Sequence, residues 1–357
     1  MQLAAVIMAG GKGERFWPKS RTKLPKQFLN IFGSKTLIQQ SIERLEKLIP
    51  ITRIFVVTNE LYAEIIKAQI PHLPYENIII ETVGKNTAPC IGLASIIIEE
   101  RFPDSTMVVM PSDHLIRDEE ELLNILKAAI KYSEQDHVIT LGIKPRYPET
   151  GYGYIQIDTS SKISDDPPVY GVKRFVEKPD IRSAQVYYSL EDYYWNSGMF
   201  IWKVSLIRRY IQTFLPEIHD LLEIMKSEMK FNNTREVVSK HYHKMTDISI
   251  DYGIMEKIDG IQMIPCNFGW DDIGSWTALE RINDTDEFGN VIKGNIMSID
   301  TRRCIIESNG KLIATLGVED LIIVQTEDVT LICHKNKAQD IKNIITELKS
   351  QKKDQYL

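Results

Sequence analysis

The sequence is poor in cysteine, and the few cysteines that it has are far apart. Cys90, Cys266, Cys304 and Cys333 form neither a CxxC pair nor the ligand spacing of a zinc site. Lone thiols of this kind are typical of a reducing compartment and argue against a disulfide-stabilised secreted fold. We therefore expect a cytoplasmic protein.

Long apolar runs and a large excess of charge are also missing. The most apolar stretch, Ala88 to Ile98, contains Pro89, Gly92 and Ser95 and falls short of the ~18 residues that a membrane span needs. Forty-three Lys and Arg stand against 49 Asp and Glu, which gives a formal net charge of −6. This balance argues against a dedicated nucleic-acid binder but permits a basic pocket for a phosphorylated small molecule. We expect neither nucleic acid nor membrane among the partners.

The first half of the chain alternates between short apolar runs and segments with helical spacing. A strand is predicted at Leu3 to Met8, a helix at Ser34 to Ile49, and the alternation continues to a strand at His137 to Ile143. This spacing predicts βαβ units and a Rossmann-like, mostly parallel sheet that is covered by helices on both faces. Ligands bind such sheets beyond the carboxyl ends of the strands.

The pattern becomes less regular after Tyr152. Strands are predicted at Tyr154 to Ile157, Gly171 to Glu177 and Gly198 to Trp202, and helices fill Ser205 to Glu256. We interpret this stretch as an inserted layer on the substrate side of the same domain.

The chain changes character near Asp284. Short apolar runs separated by polar turns extend from Asn295 to Cys333, and an amphipathic helix is predicted at Lys337 to Lys349. Repeated small β units are typical of a solenoid. We therefore expect a first domain over residues 1–284 and a small β-helix-like domain with a terminal helix over residues 285–357.

The segment that follows the first strand has the composition of a phosphate-binding loop. Gly10, Gly11 and Gly13 allow backbone N–H groups to approach a phosphate closely. Five cations follow within 12 residues: Arg15, Lys19, Arg21, Lys23 and Lys26. The loop lacks the third glycine of a dinucleotide fingerprint and the Gly-Lys-Ser/Thr of a Walker loop. We expect phosphate binding of a third kind.

Three patterns in this segment carry a resemblance to a known family. Gly-Gly-x-Gly-x-Arg, Trp-Pro-x-Ser-Arg and Pro-Lys-Gln-Phe-Leu follow one another between residues 10 and 29. Together they resemble the sugar-nucleotide pyrophosphorylases and, more narrowly, the mannose-1-phosphate guanylyltransferases. The resemblance implies a nucleotidyltransferase that makes GDP-mannose and pyrophosphate from GTP and mannose 1-phosphate with Mg²⁺. It also implies that Gly10, Gly11, Gly13, Arg15 and Lys26 handle the nucleotide phosphates.

A second motif, Glu81-Thr-Val-Gly-Lys-Asn-Thr-Ala-Pro89, resembles the segment of this family at the nucleotide base. Such a loop ahead of a helix offers N–H groups and a hydroxyl to a base, while Asn86 or Thr87 also suits the helix N-cap. The resemblance places these residues at the nucleotide: Lys85, Asn86, Thr87, Pro89 and Ser112.

Asp113 follows an apolar strand predicted at Thr106 to Met110, where an acid could hold a metal ion over a bound nucleotide. A turn residue or a helix cap is the alternative for a single Asp in this place. The family's second Mg²⁺ ligand lies in a Trp-x-Asp-x-Gly pattern. The resemblance therefore assigns it to Asp272, with Asp271 as the alternative.

Three further motifs resemble the family's sugar site: Gly151-Tyr-Gly-Tyr-Ile, Phe175-Val-Glu-Lys-Pro and Trp195-Asn-Ser-Gly-Met-Phe. The resemblance implies that the Gly153 backbone, Glu177 and Asn196 hold sugar hydroxyls. It assigns the sugar phosphate to Lys178.

The implied reaction is an in-line attack of a sugar-phosphate oxygen on the α-phosphorus of GTP. Positioning and charge neutralisation by Arg15, Lys26 and Lys178 would then supply the catalysis. Two alternatives stay open: the same chemistry with another nucleotide or hexose 1-phosphate, and an inactive relative that binds sugar nucleotides for regulation. A homodimer is expected from the resemblance alone.

Overall fold

The computed structural model describes residues 2–357, which form two compact units. The first unit consists of residues 2–10, Ser41–Ser112 and Ile116–Trp270. The second unit consists of Gly11–Gln40, Asp113–Leu115 and Asp271–Leu357. The chain therefore passes from one unit to the other several times, and each unit is built from segments that are distant in sequence.

A nine-stranded sheet forms the centre of the first unit in the described part of the chain. Its strands are β1 (Leu3–Met8), β2 (Ile54–Asn59), β3 (Ile78–Glu81), β4 (Thr106–Pro111), β5 (Ile139–Ile143), β6 (Tyr154–Asp165), β7 (Pro168–Val176), β8 (Tyr193–Lys203) and β9 (Gln262–Cys266). Their spatial order is β3-β2-β1-β4-β8-β5-β9-β7-β6.

The predicted Rossmann-like α/β fold is confirmed, and the sheet is mixed. β3, β2, β1 and β4 are parallel neighbours, as are β5 and β9. β8 lies antiparallel between β4 and β5, and β6 and β7 form an antiparallel hairpin. The sequence predicts the parallel part because helices separate its strands, whereas the hairpin needs no crossover helix.

The helices of residues 37–133 alternate with strands as predicted, consecutive helices fill residues 204–241 as expected, and the helix at Ile181–Ser189 was not predicted. They are α1 (Leu37–Glu46), α2 (Glu60–Gln69), α3 (Thr87–Arg101), α4 (Glu119–Ser133), α5 (Ile181–Ser189), α6 (Val204–Phe214), α7 (Pro216–Met229), α8 (Thr234–His241) and a π-helical turn at Asp251–Met255. Asn59, Asn86 and Asp118 cap α2, α3 and α4 with side-chain oxygens. No helix within residues 2–357 combines the length and the hydropathy needed to cross a bilayer.

Helix α3 is buried on nearly all sides because it packs against β1, α6 and α7. The core of the first unit therefore explains why this helix contains the most apolar stretch of the sequence. Ile91, Leu93 and Ile98 of α3 join Phe200 and Trp202 of β8 in this core.

The second unit contains the predicted β solenoid. Its strands are β10 (Val291–Lys293), β11 (Ile296–Ile299), β12 (Ile305–Ser308), β13 (Ile313–Leu316), β14 (Leu321–Gln325) and β15 (Thr330–His334). β10, β12 and β14 stack in parallel, β11 pairs with β13 in parallel, and β15 closes the larger sheet antiparallel to β14. The short helix α9 (Leu279–Ile282) precedes these strands, and α10 (Ile341–Ser350) follows them.

Candidate active site

Gly13 brings the glycine-rich loop into close contact with Lys26. Its φ of +59° lies in the left-handed region, and a Cβ at this position would lie 2.8 Å from the Lys26 backbone nitrogen. A side chain would therefore be both strained and in collision. Gly11, by contrast, has open space around it. The loop continues into a 3₁₀ turn at Glu14–Phe16, which contains Arg15.

The Lys26 ammonium group has an acceptor for each of its three N–H bonds. Nζ lies 2.7 Å from Asp113 Oδ2 and donates to the carbonyls of Asp272 at 2.7 Å and Ile273 at 3.1 Å. Burial opposes ionisation of Asp113, but the charge and hydrogen bond of Lys26, together with His114 and a backbone hydrogen bond, outweigh it and hold the pKa of Asp113 below its ordinary value. Lys26 therefore joins the two segments that carry the predicted metal ligands.

The two neighbouring aspartates of the Trp-Asp-Asp motif have different surroundings. Asp271 accepts hydrogen bonds from Arg281 Nε at 2.8 Å and Nη2 at 3.0 Å, and from Ile273 N at 2.8 Å. Its backbone also pairs with Leu115. The Asp272 carboxylate accepts from Gly274 N at 3.1 Å and lines a cavity. The geometry thus favours Asp272 over Asp271 for a ligand.

This cavity, of about 340 Å³, lies within the second unit. It is lined by Lys12, Gly13, Glu14, Arg15, Phe16, Lys26, Asp113, His114, Asp272, Gly274 and Lys342. The structure therefore brings together Gly13, Arg15, Lys26, Asp113 and Asp272, which are up to 259 positions apart in sequence. Burial lowers the pKa of His114 despite the nearby Asp113, so this side chain favours its neutral form.

Two of the five cations of the loop are engaged elsewhere in the second unit. Lys19 forms an ion pair with Glu307, and Arg21 binds both carboxylate oxygens of Asp328 at 2.7 and 3.1 Å. These contacts attach the N-terminal segment to the solenoid strands. The sequence could not separate them from the cavity cations, because their partners lie near the other end of the chain.

The donor set in the cavity suits a hard divalent cation. Within residues 2–357, no cluster of three or more His, Cys, Asp and Glu side chains could enclose a metal ion. Mg²⁺ fits a site with two carboxylates, such as Asp113 and Asp272, because it takes its other ligands from phosphates and water. A metal ion that prefers a complete protein cage, such as structural zinc, does not fit these residues.

The predicted base loop is held by the segment that precedes the π-helical turn. Asn86 has a φ of 65°, and its Oδ1 accepts from Thr87 N at 3.0 Å. Thr87 Oγ1 accepts from Ile250 N at 2.8 Å, and Ala88 N donates to Ile248 O at 3.1 Å. The Thr87 hydroxyl therefore has a structural bond in addition to its predicted role at the nucleotide.

The remaining residues predicted at the nucleotide also lie in the first unit. Lys85 is half-buried, and Pro89 is buried in the first turn of α3. Ser112 follows β4 and is buried, with its N donating to Met8 O at 3.1 Å. Gly10 follows β1, the parallel neighbour of β4.

Glu81, at the end of β3, has a place in this region that the sequence did not reveal. Its Oε1 would lie 2.6 Å from a Cβ at Gly10, and its Oε2 accepts from Tyr242 Oη at 2.7 Å. Burial raises the pKa of Glu81 to about 7, although the Tyr242 hydrogen bond opposes this. An acid at the end of a buried strand was the signal that singled out Asp113, and it applies here as well.

The four residues predicted at the sugar are close together in the first unit. A Cβ at Gly153 would collide with Glu177 Oε2 and lie 3.3 Å from Asn196 Cβ. Lys178, with a φ of 45°, donates from Nζ to Glu177 Oε1. Burial opposes the charge on Lys178, but the hydrogen bond and charge of Glu177, together with the nearby Asp251 and Tyr252, outweigh it and raise the pKa of Lys178.

Asp251 is a further member of this group that sequence reasoning missed. It begins the π-helical turn, and its Oδ1 accepts from Asn196 Nδ2 at 2.9 Å. Burial and the charge of Glu177 raise the pKa of Asp251 to about 7. The Ser-Ile-Asp-Tyr sequence around it has no spacing that would have predicted a role.

Two known protein families match this chain, one over its first part and one over the solenoid strands. The nucleotidyl transferase family matches residues 4–288. A MannoseP isomerase/GMP-like beta-helix domain matches residues 294–348, which cover most of the solenoid strands and α10. The solenoid predicted from short apolar runs is therefore a known companion domain.

Similar proteins cover nearly the whole chain. A mannose-1-phosphate guanylyltransferase of Klebsiella pneumoniae is 38% identical over 99% of this chain and 75% of its own length. One from Escherichia coli K12 is 36% identical over 98% of this chain and 74% of its own length. A crystal structure described as a mannose-1-phosphate geranyltransferase from Thermus thermophilus is 31% identical, with a TM-score of 0.87 over 98% of this chain and all of that one. The chain thus belongs to the nucleotidyl transferase family and, within it, to the mannose-1-phosphate guanylyltransferases.

Proposed function

We propose that this enzyme transfers GMP from GTP to mannose 1-phosphate and releases pyrophosphate. The observation that carries this proposal is the cavity of the second unit, where the glycine loop meets Arg15, Lys26, Asp113 and Asp272. Such a set binds polyphosphate, and family membership supplies the reaction class. A sugar-phosphate oxygen attacks the α-phosphorus of GTP in line, the bond to the β-phosphate oxygen breaks, and pyrophosphate leaves.

Charge is the main obstacle to this reaction. Two like unit charges 4 Å apart repel by about 4 kcal/mol at an effective dielectric of 20. A dianionic sugar phosphate that approaches a triphosphate multiplies this repulsion. Cations fixed in advance lower the barrier, because they need no rearrangement as charge develops.

The cations of the chain divide this task between the two substrates. Arg15 and Lys26 line the cavity and neutralise the charge that develops on the α-phosphate and the leaving pyrophosphate. Asp113 and Asp272 would hold Mg²⁺, which supplies further charge neutralisation at the phosphates when bound. Lys178 binds the phosphate of the sugar substrate.

The first unit contributes the two recognition regions. Gly10 and the loop of Lys85, Asn86, Thr87 and Pro89, together with Ser112, bind the nucleotide. Gly11 and Gly13 of the second unit bind its phosphates. Hydrogen bonds join the sugar hydroxyls to the Gly153 backbone, Glu177 and Asn196. The close grouping of Gly153, Glu177 and Asn196 supports the sugar side. The bond from Ile250 N to Thr87 Oγ1, which holds the base loop, supports the nucleotide side.

Pyrophosphate release tests the proposal directly. The purified chain is assayed with Mg²⁺ and with GTP, ATP, CTP, UTP or dTTP, each with mannose 1-phosphate or glucose 1-phosphate. We expect release largely confined to GTP with mannose 1-phosphate. Preference for another pair would overturn the substrate assignment but not the reaction class. A folded protein that is silent with every pair would favour the regulatory alternative.

Three further expectations belong to the same proposal. The four cysteines are free thiols in the structure, which supports a reducing, cytoplasmic setting. A homodimer is proposed from the family resemblance, and light scattering of the purified chain tests it. A catalytic domain over residues 1–284 and a β-helix domain over 285–357 are tested by limited proteolysis at the junction.

A further inference from the structure

We propose that Asp251 is a specificity-determining residue of the sugar site, where its carboxylate accepts a hydrogen bond from a hydroxyl of the hexose 1-phosphate. This inference rests on the proposed function and adds a second carboxylate beside Glu177. It places the recognition of one sugar hydroxyl on the π-helical turn, outside every motif that carried the family resemblance.

The first observation is an unsatisfied acceptor on Glu177. Its side chain is only 7% exposed, and within residues 2–357 its buried Oε2 has no hydrogen-bond partner. Its Oε1 is occupied by Lys178, and Oε2 is directed towards Gly153. A buried carboxylate oxygen without a donor is costly, so this atom points to a ligand that brings a donor with it.

The second observation is the way in which Asp251 joins Glu177. Both lie beside Asn196. Its Oδ1 accepts from Gly198 N at 3.0 Å and its Nδ2 donates to Asp251 Oδ1 at 2.9 Å. A Cβ at Gly153 would collide with Glu177 Oε2 and lie 3.6 Å from Asn196 Nδ2, so Glu177 is close to the same amide. The Gly198 contact fixes the orientation of the amide, which therefore presents a donor to Asp251. Asp251 is partly exposed, so a ligand at Glu177 and Asn196 can reach it.

The charges of this group also call for hydroxyl donors. Glu177 and Asp251 are two carboxylates with Lys178 as the neighbouring cation, and their mutual repulsion contributes to the raised pKa of Asp251. Ionised carboxylates only accept hydrogen bonds, whereas sugar hydroxyls donate them. The hydroxyls of a hexose supply donors to both carboxylates without adding charge, and Lys178 is the cation that offsets the charge of the phosphate.

A purely structural role for the Asp251 carboxylate is not needed, because the backbone around it is already held. Ile250 N donates to Thr87 Oγ1 at 2.8 Å, and Ile248 O accepts from Ala88 N at 3.1 Å. On the other side, Glu177 N donates to Glu256 Oε1 at 2.9 Å. The segment from 248 to 256 therefore keeps its position through contacts that do not involve the Asp251 side chain.

The test is Asp251→Asn, which keeps the shape of the side chain and an acceptor for Asn196. We expect the KM for mannose 1-phosphate to rise about tenfold to a hundredfold, as for the loss of a charge-assisted hydrogen bond. The KM for GTP should change less than about twofold, because the base loop is untouched. Asp247→Asn is the matched control, since Asp247 is exposed and its substitution removes one carboxylate four residues away from Asp251.

Deoxy analogues of mannose 1-phosphate identify the hydroxyl. One analogue should lose affinity with the wild-type enzyme and lose no more with Asp251→Asn, because the two changes remove the same bond. Equal KM values for wild type and Asp251→Asn would overturn the inference. An equal rise in the KM values for both substrates would also overturn it. So would finding that every analogue loses as much affinity with Asp251→Asn as with the wild type.

The inference and the proposed function fail in different ways. If the wild type prefers another hexose 1-phosphate, the substrate assignment fails and the same comparison is made with that sugar. If the wild type turns over no pair, calorimetric binding of mannose 1-phosphate decides. Weaker binding by Asp251→Asn then supports the inference, and equal binding by both proteins, or no binding by the wild type, overturns it.

Discussion

The Lys26 ammonium group binds both the side chain of Asp113 and the backbone of Asp272. Its Nζ lies 2.7 Å from Asp113 Oδ2 and 2.7 Å from the Asp272 carbonyl oxygen. One ammonium group thus fixes the spacing of the two segments that carry the proposed metal ligands. It also offsets the negative charge of Asp113, which would otherwise repel a polyphosphate. Lys26 therefore combines a structural bond with its proposed role at the phosphates.

Lys26→Ala should reduce kcat by about 100-fold or more, as for the loss of one preorganised group that stabilises developing charge. The KM for GTP should change much less, because the loop glycines and Arg15 are still present. Steady-state kinetics with GTP and mannose 1-phosphate measure both values. Lys23→Ala is the control, since Lys23 is exposed and outside the cavity lining. Unchanged turnover with weaker GTP binding would refute the catalytic role.

Asp272→Asn and Asp271→Asn should have opposite profiles. Asp272→Asn should raise the Mg²⁺ concentration needed for half-maximal activity and lower kcat, with little loss of stability. Asp271→Asn should destabilise the fold by about 1–3 kcal/mol, because Arg281 loses its charged partner. Mg²⁺ titrations and urea unfolding of both variants separate the two effects. A metal defect confined to Asp271→Asn would reverse the assignment.

Gly13→Ala should lose activity because its Cβ would displace Lys26. The matched control is Gly33→Ala, where φ is +75° but a Cβ would meet no atom within 4 Å. Gly33→Ala should therefore show only the cost of left-handed backbone, about 1 kcal/mol, with normal kcat. Thermal unfolding and kcat are measured for both. Equal behaviour of the two variants would show that the Lys26 contact does not matter.

Glu81 should make stability fall as the pH rises. Because the pKa of Glu81 is about 7 in the folded state against an ordinary 4.5, the folded protein binds more protons between these values. Stability is then lost progressively from pH 4.5 to pH 7, by up to about 3 kcal/mol, and levels off above. Glu81→Gln keeps an acceptor for Tyr242 but cannot ionise.

The free energy of unfolding in urea, measured at about pH 5 and about pH 8, checks this prediction. The free energy of unfolding of Glu81→Gln, minus that of the wild type, should be larger at the higher pH. Asp251 titrates in the same range in both proteins, so the difference between them isolates Glu81. Glu76→Gln, at an exposed position, should show the same small difference at both pH values. An advantage of Glu81→Gln that does not depend on pH would contradict the prediction.

The sequence by itself determined the elements and the chemistry that depend on neighbours along the chain. The strand at Leu3–Met8 and the helix that begins at Thr87 lie where the apolar pattern and the Asn86 cap predict them. The glycines before Arg15 predicted a phosphate loop for a similarly local reason, since close backbone approach needs no distant partner. The short strands after residue 290 predicted a solenoid because each unit repeats the same pattern.

The tertiary structure alone decided which of several chemically equivalent side chains face one another. Lys19 and Lys26 are both lysines of one loop, yet one pairs with Glu307 and the other with Asp113. Asp271 and Asp272 are adjacent, yet Arg281 binds the Asp271 carboxylate, whereas Asp272 lines the cavity. Asp251 joins Asn196 across 55 residues. Such choices follow from the packing of distant segments, because charge and hydrogen bonding act through space and carry no periodicity in the sequence.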